Sequence, residues 1–276
     1  MFALAACSPP PAPEASPSTD QTPSVPTRLR IGLEADLQGF DPLQTRLMGV
    51  STLTVADALF DTLIGLSEDG DVVPRLALSL TPSEDLDRWR AQLRPNVIFH
   101  DGTPFDAQAV ADHFNRLIDP SNRCACRPFL GPLAKVTVEA PLTVVFELSS
   151  PWAALPAVLA EPSVVSLIGS PTAVADAGRD FNRAPVGTGP YRFVSWQRGE
   201  EVTLERASDY WNSRELGQRP ARIEFRILPD QQGRLAALRA GDVDVIWTLD
   251  GASAQRADTL GLRVTRRRGA GARLLV

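Results

Sequence analysis

The sequence has no surplus of positive charge and no long apolar run, and each absence excludes a class of partner. Lysine and arginine together number 28 against 33 aspartate and glutamate residues, which gives a formal net charge of -5. Such a chain has no basic excess with which to neutralise a phosphate backbone, so we expect no nucleic acid partner. No stretch of about 18 consecutive apolar residues occurs, so we expect no membrane-spanning helix, and any membrane link would have to be covalent.

The signatures of catalysis are also lacking. There is no G-x-S-x-G nucleophile motif, and the only histidines are His100 and His113. A phosphate-binding loop is absent because Lys135, the single lysine, follows alanine rather than glycine. An exported hydrolase that uses His100 and Asp101 would need a nucleophile, and the sequence offers no candidate. We therefore predict a protein that is not an enzyme and that needs neither a cofactor nor a metal.

Cysteine is scarce, with three residues in the chain. Cys7 ends a Leu-Ala-Ala-Cys tetrapeptide that resembles the lipobox of bacterial lipoproteins, so residues 1–7 are interpreted as the remnant of a lipoprotein signal peptide with Cys7 as the lipid attachment site. The alternative is an incidental thiol in a frayed terminus. Cys124 and Cys126 could form a local disulfide or stay as two free thiols, whereas structural zinc usually needs a second ligand pair that the chain lacks.

Residues 8–27 form a proline-rich segment with seven prolines and almost no large apolar side chain. Such a segment cannot bury a core and is predicted to be a disordered tether, with a reach of about 50 to 60 Å at ~3 Å per residue. The rest of the chain has ordinary globular composition, since the whole sequence is 43% hydrophobic and 22% charged. A lipid anchor, a tether and a globular part are typical of a surface lipoprotein.

The pattern of apolar residues from residue 28 onwards predicts an α/β fold. Period-two alternation predicts strands at 29–33, 89–93 and 223–227. Two further strands are predicted at 134–138 and 143–148, a hairpin at 191–196 and 202–206, a short buried strand at 243–247, and another hairpin at 62–73. Helical spacing predicts helices at 50–63, at 152–159 and at 231–239, and a further helix after the capping residue Asp106. The stretch between residue 159 and Pro185 is predicted to be irregular. Because strands, helices and hairpins interleave, the sheets should be mixed.

Five blocks of the chain resemble, in the same order, the sequence pattern of the extracellular solute-binding proteins of the peptide/nickel ABC transporter class, family 5. The blocks are WRAQLRPNVIFHDGTPFDA at 89–107, PVGTGPY at 185–191, DYW at 209–211, FRILPD at 225–230 and AGDVD at 240–244. The resemblance implies a periplasmic-binding-protein-like lobe of type II over residues 28–276, with the second lobe largely missing from this chain. Residues 273–276 read as a strand that stops in mid-pattern, which also predicts a longer protein.

The resemblance further implies a substrate-binding lipoprotein of an ABC importer. Such a protein captures short peptides or a related small solute on the periplasmic or extracytoplasmic face of the cell membrane. It delivers them to the permease and its ATPase subunits by closing two lobes around a hinge. We expect a monomer that is held to the membrane by the lipid anchor. The alternative hypothesis is a single-lobe exported interaction or receptor module that captures no solute.

Candidate ligand-binding residues follow the ends of two predicted strands, where the cleft of an α/β fold opens. The resemblance places the loop with Phe40 and Asp41 near the cleft, and it places Trp247 and Thr248 near ligand and hinge. A tryptophan there could cover a peptide backbone or an apolar side chain. We therefore predict ligand contacts for Phe40, Asp41, Trp247 and Thr248.

Overall fold

A computed structural model describes residues 26–45, 48–67, 69, 71–163, 165–248 and 251–265. The predicted lipid attachment site Cys7, most of the tether and the predicted strand at 273–276 lie outside these residues. Among the helices that are described, none combines the length and the apolarity needed to cross a bilayer.

Strands and helices alternate along the described chain. The strands are β1 (Arg28–Leu33), β2 (Ile64–Leu66), β3 (Val72–Pro74), β4 (Ala77–Pro82), β5 (Arg88–Leu93), β6 (Leu133–Ala140), β7 (Thr143–Leu148), β8 (Tyr191–Gln197), β9 (Glu201–Arg206), β10 (Arg222–Ile227) and β11 (Val245–Ile246). The α-helices are α1 (Val50–Leu59), α2 (Ala107–Ile118), α3 (Leu155–Ala160), α4 (Pro171–Ala177), α5 (Ser213–Leu216), α6 (Gln231–Ala240) and α7 (Gly251–Thr259). Short 3-10 helices lie at Pro120–Asn122, Arg127–Leu130 and Gly178–Asn182.

Five of these strands form a mixed sheet in the order β11-β1-β10-β9-β8. β1 runs parallel to both β10 and β11, and it aligns Ile31 with Phe225 on one side and with Val245 on the other. β8 and β9 form the predicted hairpin and extend the sheet in antiparallel fashion. Leu29, Ile31 and Leu33 are buried, as their alternation predicts. The mixed sheet confirms the predicted α/β fold class.

Four strands form a separate antiparallel sheet in the order β4-β5-β7-β6, and α2 packs against β6 and β7. The carboxylate of Asp106 accepts a hydrogen bond from the Ala109 backbone N–H and caps α2, as predicted. The apolar face of α2 is fully buried, with Phe114 meeting Phe146 edge to face at 5.3 Å between ring centroids. A two-stranded hairpin of β2 and β3 lies outside both sheets.

Two apolar cores correspond to the two sheets. One core joins the antiparallel sheet to α2 and α3, and the other joins the mixed sheet to α1. Phe60 belongs to the mixed-sheet core and Leu63 to the antiparallel-sheet core, so the short segment between them connects the two.

Three expectations about secondary structure were wrong. α1 ends at Leu59 instead of continuing to residue 63, because the backbone of Gly187 and Gly189 lies against that end, and Gly189 N–H donates to Leu59 O at 2.9 Å. A Cβ at Gly189 would come within 2.5 Å of the Leu59 carbonyl carbon, so the approach requires glycine. The stretch before Pro185 contains α4, and β4 was missed, although Leu78 and Leu80 alternate with Ser79 and Thr81.

Cys124 and Cys126 are joined by a disulfide. Of the alternatives that the sequence left open, the structure therefore has the local disulfide. Both residues are buried, and the sulfur of Cys124 lies 3.4 Å from the carbonyl oxygen of Pro42.

Candidate functional site

An open groove lies at the edge of the mixed sheet where β1 and β11 end. It holds about 270 Å³ of empty space that is continuous with solvent. The residues around it come from β1, from the start of α1 and from the segment after β11: Ile31, Gly32, Leu33, Glu34, Val50, Ser51, Thr54 and Trp247. Parallel strands all end at one edge of a sheet, and the loops that leave this edge diverge to opposite faces. The topology therefore accounts for the position of the groove.

The loop after β1 is fastened to the first turn of α1. Ala35 N–H donates to Ser51 Oγ at 3.2 Å, and Gln38 N–H donates to Thr52 Oγ1 at 3.0 Å. In return, Gln38 Oε1 accepts hydrogen bonds from Gly49 N–H and Thr52 Oγ1. One of them satisfies the Gly49 N–H, a backbone group that the helix start would otherwise leave unpaired. Together they hold the loop after β1 against the start of α1.

Glu34 is the first residue after β1, and its half-buried side chain lines the groove. Within the described part of the chain, its carboxylate has no hydrogen-bond or ion-pair partner. The next carboxylate along the loop differs, since Asp36 accepts from Trp196 Nε1 at 2.8 Å and from Gly199 N–H at 3.0 Å. The sequence prediction missed Glu34, although its place directly after a parallel strand was a usable signal.

Trp247 also lines the groove, as part of the segment after β11. Its side chain is half-buried, and so is that of Thr248. Thr248 Oγ1 accepts a long hydrogen bond of 3.4 Å from Gln231 Nε2, and Gln231 also donates to Ser253 Oγ at 2.7 Å. The structure thus brings the predicted residue Trp247 to the groove, while Thr248 lies beside it and contacts the start of α6.

Phe40 and Asp41 lie inside the fold and do not line this groove. Phe40 is 1% exposed and packs between the rings of Phe60 and Trp196, with centroid distances of 6.2 and 6.4 Å. Asp41 is also 1% exposed, and both of its carboxylate oxygens accept hydrogen bonds from Arg116 at 3.0 and 2.9 Å. These side chains hold the loop to the body of the lobe, and burial does not suit them to direct ligand contact.

The electrostatics of Asp41 fit this supporting position. Burial acts to raise the pKa of the carboxyl group, but hydrogen bonds from Arg116, Gln44 and the Leu43 backbone outweigh it and hold the pKa below its usual value. Asp41 therefore stays charged and pairs with Arg116 on α2. This ion pair connects the loop after β1 to the helix of the antiparallel sheet.

The residues that a hydrolase would use have structural partners. His100 Nε2 lies 2.9 Å from Gly189 O, and its Nδ1 accepts from Gly187 N–H at 3.4 Å. Asp101 accepts a hydrogen bond directly from Ser170 Oγ at 2.5 Å. No imidazole lies between these two groups, so Ser170 is not a nucleophile paired with a histidine base. Burial lowers the pKa of His100, in keeping with a neutral ring between two backbone groups.

His113 is buried on α2, and its Nε2 lies 3.0 Å from Val165 O. Burial lowers the pKa of this ring to about 4. In the described ranges, no three or more histidine, cysteine, aspartate or glutamate side chains are grouped closely enough to hold a metal ion.

The sequence matches the family model for bacterial extracellular solute-binding proteins, family 5 Middle, over residues 71–275. This match confirms the resemblance that the five sequence blocks indicate. The chain is 33% identical over 196 residues to the glutathione-binding protein GsiB of Pectobacterium atrosepticum, with 71% of this chain and 37% of the relative covered. It is 28% identical over 212 residues to the nickel-binding periplasmic protein of Escherichia coli, with 76% and 40% covered.

Solved structures confirm the fold. AgaA of A. tumefaciens R10, in complex with agropinic acid, superposes with a TM-score of 0.74 at 29% identity, covering 84% of this chain and 46% of that one. A dipeptide-binding protein of Pseudoalteromonas sp. SM9913, in complex with Met-Leu, superposes with a TM-score of 0.72 at 25% identity, covering 86% and 49%. The chain therefore spans less than half the length of these relatives.

Proposed function

We propose, since the chain belongs to family 5 of the bacterial extracellular solute-binding proteins, that it forms one lobe of the solute-binding subunit of an ABC importer. The observation that carries the proposal is the groove at the carboxyl edge of β1 and β11, with Trp247 on one side and the start of α1 on the other. Ligands of open α/β sheets bind at this kind of edge. The groove would form this lobe's half of the solute site.

A short peptide or a related small solute is the proposed cargo. Relatives named for glutathione and for a dipeptide support this class, as does the lining of the groove. Ser51 and Thr54 supply hydroxyl groups, and the indole of Trp247 supplies a flat apolar surface. Sites for small molecules commonly combine an apolar wall with a few polar groups in this way.

Capture would proceed by closure of a second lobe over the groove. The groove is open to solvent, so a solute bound to this lobe alone would keep much of its surface exposed. Contacts that form only in the closed arrangement would shift the population towards it, and the permease with its ATPase subunits would receive that form. Phe40 and Asp41 would act in this scheme by fixing the loop that carries Glu34, and Trp247 and Thr248 would lie nearest to the solute.

We propose further that Cys7 carries a lipid and that residues 8–27 tether the lobe of residues 28–276, as a monomer, to the extracytoplasmic face of the membrane. The lipobox-like tetrapeptide and the seven prolines of the tether support this arrangement. Replacement of Cys7→Ser should release the protein from washed membranes into the soluble fraction. A protein that stays in the membrane fraction after this substitution would contradict lipid attachment at Cys7.

The test of solute capture is a thermal shift measurement on the full-length gene product. A ligand that binds the folded protein raises Tm, so dipeptides, tripeptides, glutathione and nickel should be screened separately. The bound solute should also change the fluorescence of wild-type protein and of a Trp152→Phe control, but not of Trp247→Phe. If no compound in the screen raises Tm, the proposal fails and the single-lobe interaction module becomes the better explanation.

A further inference from the structure

Glu34 brings a negative charge to the groove, and no counter-charge accompanies it in the described part of the chain. From this we infer that the solute carries a positively charged nitrogen, an ammonium or guanidinium group, which binds between the Glu34 carboxylate and the indole of Trp247. The inference rests on the proposed function, because it assigns a chemical class to the solute of the same groove.

Three other carboxylates on the described loops at this end of the mixed sheet are already engaged. Asp36 accepts from the indole N–H of Trp196, and Asp41 pairs with Arg116. Asp230, which follows β10, caps α6 by accepting from the Gly233 N–H. Within the described residues, Glu34 differs from these three because its carboxylate has no protein partner.

Two arginine side chains that the structure describes at the end of β10 have other partners. The guanidinium of Arg234 donates to the carbonyl oxygens of Leu228 and Pro229 at 2.6 and 2.9 Å, at the end of β10. Arg226 donates to the Asp242 carbonyl at 2.9 Å and lies 3.6 Å from the Glu201 carboxylate. Neither of these two arginines therefore neutralises Glu34, and among the described residues no cationic side chain pairs with its carboxylate.

The rest of the groove favours a cation near Glu34. Ile31, Leu33 and Val50 line it with apolar groups, and a less polar surrounding strengthens the attraction between opposite charges. A carboxylate that accepts a hydrogen bond from a cationic nitrogen forms one of the stronger hydrogen bonds in proteins. The electron-rich face of an indole attracts the same group, so Trp247 would add to the effect of Glu34.

The test compares Glu34→Gln with Glu84→Gln, a control at an exposed glutamate on the turn between β4 and β5. The probes are trialanine and its variants with lysine or norleucine at each position, each with a free or an acetylated amino terminus. Calorimetry on the full-length protein gives Kd for each peptide. Glu34→Gln should weaken the best-binding cationic peptide on the order of tenfold, because a charge-assisted hydrogen bond is lost. Glu84→Gln should leave Kd unchanged.

The peptide series distinguishes a cationic amino terminus from a cationic side chain. If acetylation removes the effect of Glu34→Gln, the group at Glu34 is the amino terminus of the peptide. If norleucine in place of lysine removes the effect, the group is a side chain. Glu34→Lys should weaken the same peptide further, since it places two positive charges together.

Three results would overturn the inference. If Glu34→Gln weakens cationic and neutral peptides equally, Glu34 acts on the protein itself, and the proposed capture of peptides still holds. If wild-type protein and Glu34→Gln bind every peptide alike, Glu34 does not contribute to binding, and the proposed capture of peptides again still holds. If wild-type protein binds no peptide of any charge, the peptide cargo and the inference fail together.

Discussion

The mixed sheet and the antiparallel sheet differ in what lies at their strand ends. In the antiparallel sheet neighbouring strands run in opposite directions, and a tight turn joins β6 to β7. In the mixed sheet the carboxyl ends of β1, β10 and β11 share one edge, and the groove opens at that edge. Strand direction therefore decides in which half of this chain a groove opens at the strand ends, although both halves have an apolar core of their own.

The same comparison separates stability from binding. Large side chains such as Phe114 and Phe146 are fully enclosed in the antiparallel half. The groove residues Glu34 and Trp247 are half-buried, so their substitution removes less contact within the fold. Substitutions of enclosed residues in the antiparallel half should therefore mainly lower stability, and substitutions of groove residues should mainly affect the proposed binding of a solute.

The largest expected effect on stability is that of Phe114→Ala. Removal of this buried ring should lower the free energy of unfolding by about 3–5 kcal/mol, because a cavity remains between α2 and β7. Trp247→Ala should cost less than half of that, since its ring already faces the groove. Urea unfolding followed by circular dichroism measures both. Equal losses of unfolding free energy for the two variants would contradict the difference between the enclosed core of the antiparallel half and the open groove of the mixed sheet.

The next effect is the pH dependence that His113 gives to the antiparallel half. Burial lowers the pKa of this ring from 6.5 to about 4, so the folded protein holds it neutral. The associated stability is complete above pH 6.5 and is lost as the pH falls towards 4. The loss amounts to about 3 kcal/mol, at 1.36 kcal/mol per pKa unit.

The free energy of unfolding between pH 7 and pH 4.5 measures the contribution of His113. His113→Gln keeps a side-chain donor for the Val165 carbonyl and removes the titration, so its acid destabilisation should be smaller. A variant with the same pH profile as wild-type protein would show that other groups control acid unfolding.

A smaller effect of opposite sign should come from Asp61, in the segment that connects the two cores. Burial raises the pKa of this carboxyl from 3.8 to about 6, even though Trp211 Nε1 and Tyr210 Oη donate to it at 2.8 and 3.1 Å. The raised pKa favours the protonated form in the folded state. Its contribution is complete below pH 3.8 and is lost as the pH rises through 6, by on the order of 3 kcal/mol at most.

Asp61→Asn tests this sign. The variant has no carboxyl to deprotonate, so wild-type protein should lose stability relative to it as the pH rises from 4 to 6.5. Because His113 acts in the opposite direction over this range, the double variant should show a flatter profile than either single one. A difference between Asp61→Asn and wild-type protein that stays constant with pH would contradict the raised pKa.

Much of the fold could be predicted from local patterns. The strands β1, β5, β9 and β10 each alternate apolar and polar side chains, and Asp106 stands where a helix cap should stand. The failures also have local causes. β4 alternates Leu78 and Leu80 with Ser79 and Thr81, and α4 has Ser170 and Pro171 as a start signal; the prediction used neither pattern.

The candidate site was harder to predict because burial and pairing depend on distant partners. Phe40 and Asp41 follow a strand, as groove residues should, yet both point into the body of the lobe. Trp247 does reach the groove, since it directly follows the short parallel strand β11. Glu34 stands one residue after β1, and nothing in its neighbours along the chain distinguishes it from Asp36.

By itself the sequence determined the α/β class, the order of most elements and the family, because these depend on spacing and motifs that can be read along the chain. The tertiary structure decided which charge remains available for a ligand. Asp41 meets Arg116 across 75 residues of chain, and Asp36 meets Trp196 across 160. Glu34 has no such partner among the described residues. Since these contacts join residues far apart in the chain, only the tertiary structure establishes them.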